Sequence, residues 1–405
     1  MRHCLTDRQR SMLALAEKVA PALAERAAGH DRDNTFPHDG YADLREAGLL
    51  RLTVPEELGG LGADQQELLL VLEHLAAADG ATALSYAMHA APLGSWALTW
   101  RRTGAPPLEQ ALRLAGMGRL VLAAIASEVG TPNLFTDAKT TATRVPGGYV
   151  LDGRKNFGTN SAAATMWAST ARFEDPDLGP RLLILLVDPS GDGITIEQTW
   201  DTLGMRATQS NDIVFAGHFV PDQAVVQSIP IGHLDAQVLE TIICWTAPSF
   251  GAVYTGIAAG ALAWSVEQVK QRDRQHDPRI QDAIADAETA IEVNRSVLAR
   301  HAAEVMSGNL VTQFGVQEGF ARCALVKNVC TNNAAAVMTR LVDVVGGGAI
   351  SRRLPFERMW RDVQAGLVMP INNRTGRELL GACALGVETA PVVPHPFLDA
   401  GAGRA

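Results

Sequence analysis

The sequence predicts an α+β protein: an N-terminal helical domain, a central β-barrel-like domain and a C-terminal four-helix bundle. Three observations predict it. Residues 1–118 repeat apolar positions at helical spacing. Residues 119–228 break into short apolar or alternating bursts punctuated by Gly, Pro, Asp and Asn. Residues 229–390 return to the helical period, and 391–405 form a Pro/Gly/Ala-rich extended tail.

The elements follow in order. LTDRQRSMLALAEKVAPALAERAAGH is the first helix, GYADLREAGLLRL the second and QELLLVLEHLAAAD the third, with ATALSYAMHAAPLGSW continuing the helical pattern. VPEELGGLGA, between the second and third, is a glycine-rich loop. RLVLAAIASE, KTTATRV, GYVLDGRKNF, MWASTARF, RLLILLVDP and ITIEQTW read as strands joined by turns such as VPGGY, and SNDIVFAGHFVPDQAVV closes the region. At least four helical segments follow, at 236–270, 279–306, 315–347 and 372–385.

Composition excludes several function classes. With 405 residues, 47% of them hydrophobic, the chain can bury a large core. A net charge of −9 with no Lys/Arg block leaves no footprint for nucleic acid. The N-terminus has no apolar signal core, and the most apolar run, residues 244–266, contains Pro248 and small residues that suit a buried bundle helix better than a membrane span. The five cysteines (Cys4, Cys244, Cys323, Cys330 and Cys383) form no CxxC pair, so a reduced cytoplasmic protein without a metal site is expected. Helices, then strands, then helices leave a groove between layers where a flat cofactor can lie.

Four segments together resemble the acyl-CoA dehydrogenase superfamily of flavoproteins, over about residues 6–386: FPHDGYADLREAGLLRLTVPEELGGLGAD, AIASEVGTPNLFTDAKTTATRVPGGYVLDGRKNFGTN, DTLGMRATQSNDIVFAGHFVP and VVGGGAISRRLPFERMWRDV. The resemblance implies FAD, with FMN as the alternative, bound between the β-domain and the C-terminal helices. It implies cofactor-binding roles for Ser127, Phe157, Gly158, Thr159, Trp167, Arg206 and Thr208. It also implies a pyrophosphate-side role, across a dimer, for Gly346 and Gly347, and for Arg272, the one residue kept from the family's R-x-x-F-G motif. A homo-oligomer, dimer or tetramer, is implied with it.

The sequence departs from the family where the chemistry is done. Family dehydrogenases need a carboxylate base, usually eight residues after the aspartate of the R-D pair. Counted from Asp362 that position is Pro370. The alternative base position, on the first long C-terminal helix, is Thr246. Thr246, Met369, Pro370 and Asn373 are therefore expected to line substrate, and His89, Glu240 and Asn372 are the remaining catalytic candidates. His89 on an apolar helix face equally fits a satisfied core histidine.

HDPRIQDAIADAE is similar to flavin hydroxylases of the dibenzothiophene monooxygenase type, in which reduced flavin and oxygen need no carboxylate base. Three readings stand. The first is a monooxygenase or oxidase acting on a small organic or carrier-bound molecule, fed by a flavin reductase. The second is an acyl-CoA or acyl-carrier dehydrogenase with a relocated base such as Glu240, passing electrons to an electron-transfer flavoprotein. The third is an incomplete subunit that needs a paralogous partner.

Overall fold

The computed structural model describes residues 5–393, apart from Pro132 and Asn309. Helix α1 (Asp7–Asp33) starts on a capping box, with the Thr6 hydroxyl accepting from Gln9 N and the Gln9 side chain returning to Thr6 N. Helix α2 is His38–Glu46, and α3 (Gln65–Ala78) opens on a second capping box formed by Asp64 and Glu67. Helix α4 (Gly80–Thr103), capped by Asp79, is buried along nearly its whole length. A short α5 (Pro106–Gly116), which the sequence pattern had not separated, precedes the sheet.

Eight strands follow: β1 (Leu122–Ile125), β2 (Thr141–Val145), β3 (Gly148–Lys155), β4 (Met166–Asp175), β5 (Gly179–Val187), β6 (Ile194–Glu197), β7 (Asp212–Pro221) and β8 (Val225–Pro230). Their order is β6-β7-β3-β2-β4-β5-β8, with β1 added parallel to β4. One parallel bridge, Thr141 to Arg172, joins the two halves. Both halves pack on a shared core that includes Ile125, Leu151, Trp167, Leu185 and Ile213, so the sheet wraps as the alternating pattern predicts.

The chain returns to helix at α6 (Ala236–Val238), widens into a π-turn at Leu239–Ile243 and continues as α7 (Cys244–Gln271). Helix α7 is long and apolar enough to cross a membrane, but its face is covered by α3, α4, α8 (Pro278–Met306) and α9 (Leu310–Val345). Gly256 shows how close the packing is: a Cβ there would lie 2.1 Å from the Glu73 carbonyl. Helix α9 breaks at Gly315, whose φ of 73° lies in the left-handed region. Helix α10 (Pro355–Gln364), also unseparated in the sequence pattern, and α11 (Asn373–Ala384) complete the bundle. Leu234 and Val392 form an isolated parallel bridge, while residues 394–405, most of the expected tail, lie outside the described residues.

Candidate functional site

Three loops of the sheet are sewn together at its junction with the helices, and a fourth lies on the bundle, packed on α9. After β1, Glu128 turns inward beneath the Ser127–Thr140 loop. Its Oε1 accepts from Lys155 Nζ (2.7 Å), Thr140 N (2.8 Å) and Thr140 Oγ1 (2.6 Å). Its Oε2 accepts from Thr131 Oγ1 and Lys139 N. Burial alone would raise this carboxyl; Lys155 and the surrounding donors outweigh burial and hold it at about 2. Glu128 is thus the organiser of the loop rather than a contact for substrate. Ser127 ties the loop to the next one, its carbonyl accepting from Asn156 N (2.8 Å), while its hydroxyl has no protein partner among the described residues.

The second loop follows β3. Phe157 sits at φ 59°, with 59% of its surface exposed and the Trp200 indole edge-on at 6.0 Å. Gly158 N donates to Asn211 O (3.0 Å), which sews this loop to the third, residues 200–211. Between them runs a buried line of hydroxyls. Thr159 Oγ1 lies 2.7 Å from Ser210 Oγ, Ser210 Oγ 2.7 Å from Thr208 Oγ1, and Thr208 Oγ1 2.9 Å from the Met205 carbonyl. An exposed aromatic face above a hydroxyl, on backbone held in the left-handed region, fits a flat heteroaromatic ring.

The third loop is fastened to α10, which leads into the fourth, through Asp362. Met205 N donates to Asp362 Oδ1 (2.6 Å), and Arg358 lies 3.6 Å from Asp362 and 3.3 Å from Asp79. Burial pushes the Asp362 carboxyl up to about 6 against the pull of Arg358. Arg361 adds Asp31 (2.6 Å) and Glu357 (2.7 Å), so α1, α10 and the 200–206 loop share one ionic knot.

The fourth loop, residues 365–373, rests on a lysine. Lys327 of α9 is 0% exposed, and its Nζ donates to the Met369 carbonyl (2.8 Å) and Asn373 Oδ1 (2.8 Å). No carboxylate pairs with it among the described residues, and burial pushes the ammonium down to about 7. Asn373 Nδ2 in turn donates to Thr331 Oγ1 (3.1 Å) and Asn332 Oδ1 (2.8 Å).

The structure therefore corrects several expectations. The half-buried Asn373 side chain is turned toward α9, where it meets Lys327, Thr331 and Asn332. Asn372 caps α11, its Oδ1 accepting from Thr375 N (2.9 Å). Glu240, on the π-turn, is held by Arg102 at 2.7 Å, so its carboxylate is paired rather than poised as a base. Trp167 is fully buried in the sheet core and cannot face a cofactor; Phe157 is the exposed ring. Arg206 is engaged by the Asp31 carbonyl (2.9 Å), the Thr202 carbonyl (3.1 Å) and Asp201 (3.2 Å), which makes it a loop tie. At the α7–α8 turn a cavity of about 410 Å³ is lined by Arg274, Arg279 and Arg340 with Asp277, Asp282 and Asp343, and not by Arg272, which is exposed at the end of α7. Gly346 and Gly347 form an open turn where an added Cβ would meet nothing. Met369 and Pro370 are half-buried on the fourth loop, and Thr246 is buried one turn after the π-turn, its hydroxyl donating to Ile242 O (2.9 Å).

His89 is corrected most firmly. Its Nε2 donates to the Leu50 carbonyl (2.7 Å), and its Nδ1 accepts from Leu122 N (3.0 Å). Both ring nitrogens are committed, and burial lowers the ring to about 4. The imidazole joins α4 to the first strand and has no capacity left for proton transfer. His89→Ala strands two buried backbone groups and is expected to cost about 2–5 kcal/mol by urea denaturation.

His301 is likewise lowered by burial to about 4. Both histidines stay neutral in the fold and take up protons on unfolding below their ordinary value. Their contribution is complete above about pH 6.5 and is lost as pH falls toward 4, on the order of 3 kcal/mol each. Replacing His301 by glutamine is expected to flatten this slope, read from denaturation midpoints across that window.

Sequence reasoning missed Lys327 and Ser210. A lone lysine inside the apolar helical run CALVKNVC was a legible signal for the first; nothing in the sequence marked the second.

Comparison with known proteins adds the following. Residues 6–130 match the acyl-CoA dehydrogenase N-terminal domain, 123–217 the middle domain and 249–370 the C-terminal domain. The amino sugar nitrososynthase DnmZ of Streptomyces peucetius is 30% identical over 394 residues, covering 94% of each chain. Cyclohex-1-ene-1-carbonyl-CoA dehydrogenase of Geobacter metallireducens is 27% identical, covering 95% of this chain and all of its own. The structure of KijD3, in complex with FMN and dTDP-3-amino-2,3,6-trideoxy-4-keto-3-methyl-D-glucose, superposes with a TM-score of 0.85 at 28% identity, covering 98% of each chain.

Proposed function

The chain belongs to the acyl-CoA dehydrogenase family, and from that membership we propose that it is a flavin-dependent monooxygenase rather than a dehydrogenase. The substrate class we assign is a primary amine on a carried small molecule, such as a nucleotide-linked amino sugar. One observation carries the reading: among the described residues the fourth loop holds no carboxylate, Pro370 stands at the base position, and the other candidate, Glu240, is held by Arg102. A dehydrogenase must remove a proton from carbon and needs that base. An amine nitrogen in its neutral form carries a lone pair, so its proton exchanges with water and none has to be taken from carbon. The relatives that act on amino sugars support this choice of nucleophile.

Bound reduced flavin, FAD or FMN, would supply the two electrons that divide O2 between substrate and water. The Phe157 ring and the Thr159 and Ser127 hydroxyls would hold the flat ring. Met369 and Pro370 would form an apolar wall that keeps water from the reacting nitrogen. A flavin reductase is the expected redox partner. A homo-oligomer is the expected assembly, since Ile350 and Leu203 are exposed beside α10.

The test is reductase-coupled turnover under isotopically labelled oxygen gas, with a nucleotide-linked amino sugar and with acyl-CoA thioesters. Label on the product nitrogen supports the proposal. Anaerobic bleaching of bound flavin by a thioester, without a reductase, sinks it in favour of a dehydrogenase.

A further inference from the structure

We propose that residues 387–393, the strap that follows α11, form a gate latched by Gln317, and that its opening sets how fast a ligand enters and leaves the site beside the first loop. The gate rests on the ligand-site reading of that loop given above.

One turn of α9 carries three contacts. Gln317, two residues past the break at Gly315, grips the strap with both ends of its amide. Its Nε2 donates to the Val387 carbonyl (2.8 Å), and its Oε1 accepts from Thr389 N (2.7 Å) and Thr389 Oγ1 (2.9 Å). Gly319 receives the π-turn: an added Cβ would lie 2.4 Å from Leu239 Cδ2. Phe320 receives the first loop, edge-on to Phe135 at 6.3 Å.

From Gln317 the strap crosses to residues 231–235, the stretch that carries the chain from β8 into α6. Leu234 N donates to the Pro391 carbonyl (2.8 Å), and Val393 N donates to Leu234 O (2.8 Å). The same stretch steadies the first loop, with Gly232 N donating to the Thr136 carbonyl (2.9 Å). It also starts the helix that leads into the π-turn, where Asp235 Oδ1 accepts from Val238 N (2.9 Å). A strap clasped at Leu234 therefore restrains the first loop and the π-turn together.

The clasp is built to open. Solvent-facing segments with few buried apolar contacts open first and on their own. Residues 384–389 are exposed, and the Leu234–Val392 bridge is the strap's one ladder contact among the described residues. Ala390 and Val392 are half-buried against the core cluster that contains Leu234 and Leu239. An opening strap leaves the bundle folded while it lets go of the stretch that steadies the first loop.

Gln317→Ala removes three of the strap's hydrogen bonds and touches neither of those made by Leu234. It is expected to raise the open population on the order of 10-fold, what one or two surface hydrogen bonds are worth. Gln317→Glu, which keeps the acceptor for Thr389, should fall between the alanine variant and wild type. Because the open state lies on the path in both directions, ligand association and dissociation should rise by the same factor and leave the affinity where it was. A purely structural role would not give that pattern.

The experiment measures amide hydrogen exchange at Leu234, Thr389 and Val393 in the full chain, and the rates of FMN binding and release by stopped-flow fluorescence, for wild type and both variants. Faster exchange at all three amides, with both FMN rates raised alike, supports the gate. Faster exchange at Thr389 alone shows a local staple and overturns it. Unchanged FMN rates beside a strap that opens more often, or an affinity that changes through one rate only, also overturn it while the flavin reading stands. A wild-type protein that binds no FMN, oxidised or reduced, sinks the flavin reading and the gate with it, and the amides then report only whether the strap moves as a unit.

Discussion

Lys327→Met is expected to lower turnover on the order of 100-fold while changing stability by less than about 2 kcal/mol. The two effects part because the lysine acts in opposite senses on fold and loop. As a fully buried amine with no carboxylate beside it among the described residues, Lys327 costs the fold a desolvation penalty that methionine of similar length does not incur. Against that gain, Met369 O and Asn373 Oδ1 each lose their donor. The terms offset, and the protein should stay folded. The 365–373 loop, however, loses the tie that fixes Met369 and Pro370, and a displacement of about 1 Å in a reacting wall is enough for a loss of this size. The sign of the pH effect follows from the lowered ammonium. Between about pH 7 and 10.5 the unfolded chain binds a proton that the native chain has released, so wild-type stability rises with pH across that window. The methionine variant should lack that rise. Melting curves at pH 7 and pH 10 beside coupled turnover decide the matter; unaltered turnover would remove Lys327 from any part in positioning the loop.

Glu128→Gln is expected to destabilise the protein by about 3–5 kcal/mol, because it leaves the Lys155 ammonium buried beneath the loop without its counter-charge. Glutamine keeps one acceptor oxygen but cannot serve Lys155, Thr140 and Lys139 together. Pairing it with Lys155→Met removes the stranded cation, and the double variant should recover much of the loss, a coupling that a double-mutant cycle measures directly. The loss should also reach the neighbouring loop, since Ser127 O holds Asn156 N and Val129 N donates to Asn156 Oδ1 (3.1 Å). A single variant within 1 kcal/mol of wild type would show that the pair is dispensable. In the wild type the carboxylate contributes fully above about pH 4.5, and its contribution is lost as pH falls toward 2.

Much of the architecture was legible from periodicity. The change from helical spacing to short alternating bursts near Leu120 falls where α5 gives way to β1, and each quoted strand segment contains a strand. The short α5 and α10 are both clearly amphipathic and were legible in principle; 11 and 10 residues give only about three turns of pattern, close to the lower limit for reading a helix from periodicity. The site was read less well, for a physical reason. Sequence position places a residue on an element but does not say which way its side chain is satisfied. His89, Glu240, Asn372 and Asn373 all carry groups able to do chemistry, and all four are committed to partners far away in sequence or to a helix cap. Trp167 lies on β4, where the pleat points it into the sheet core, whereas Phe157 lies on the loop after β3, where a left-handed φ of 59° leaves its ring exposed. Lys327 could have been noticed, since an unaccompanied charge inside an apolar helical run has to be paired or put to use.

The sheet's private core has a bearing on how the molecule comes apart. Ile125, Leu151, Trp167, Leu185 and Ile213 belong to a cluster separate from the one that unites the helices. Amide protons within the strands should therefore exchange as a cooperative unit of their own, at a free energy distinct from that of α7 and α9. The three sheet loops lie on the boundary between the two units, where the first partial opening would run. Opening along that boundary would bare Leu182, Ile184 and Ile229, which the sheet shares with the helical cluster, so the two units are expected to loosen at the loops well before they separate.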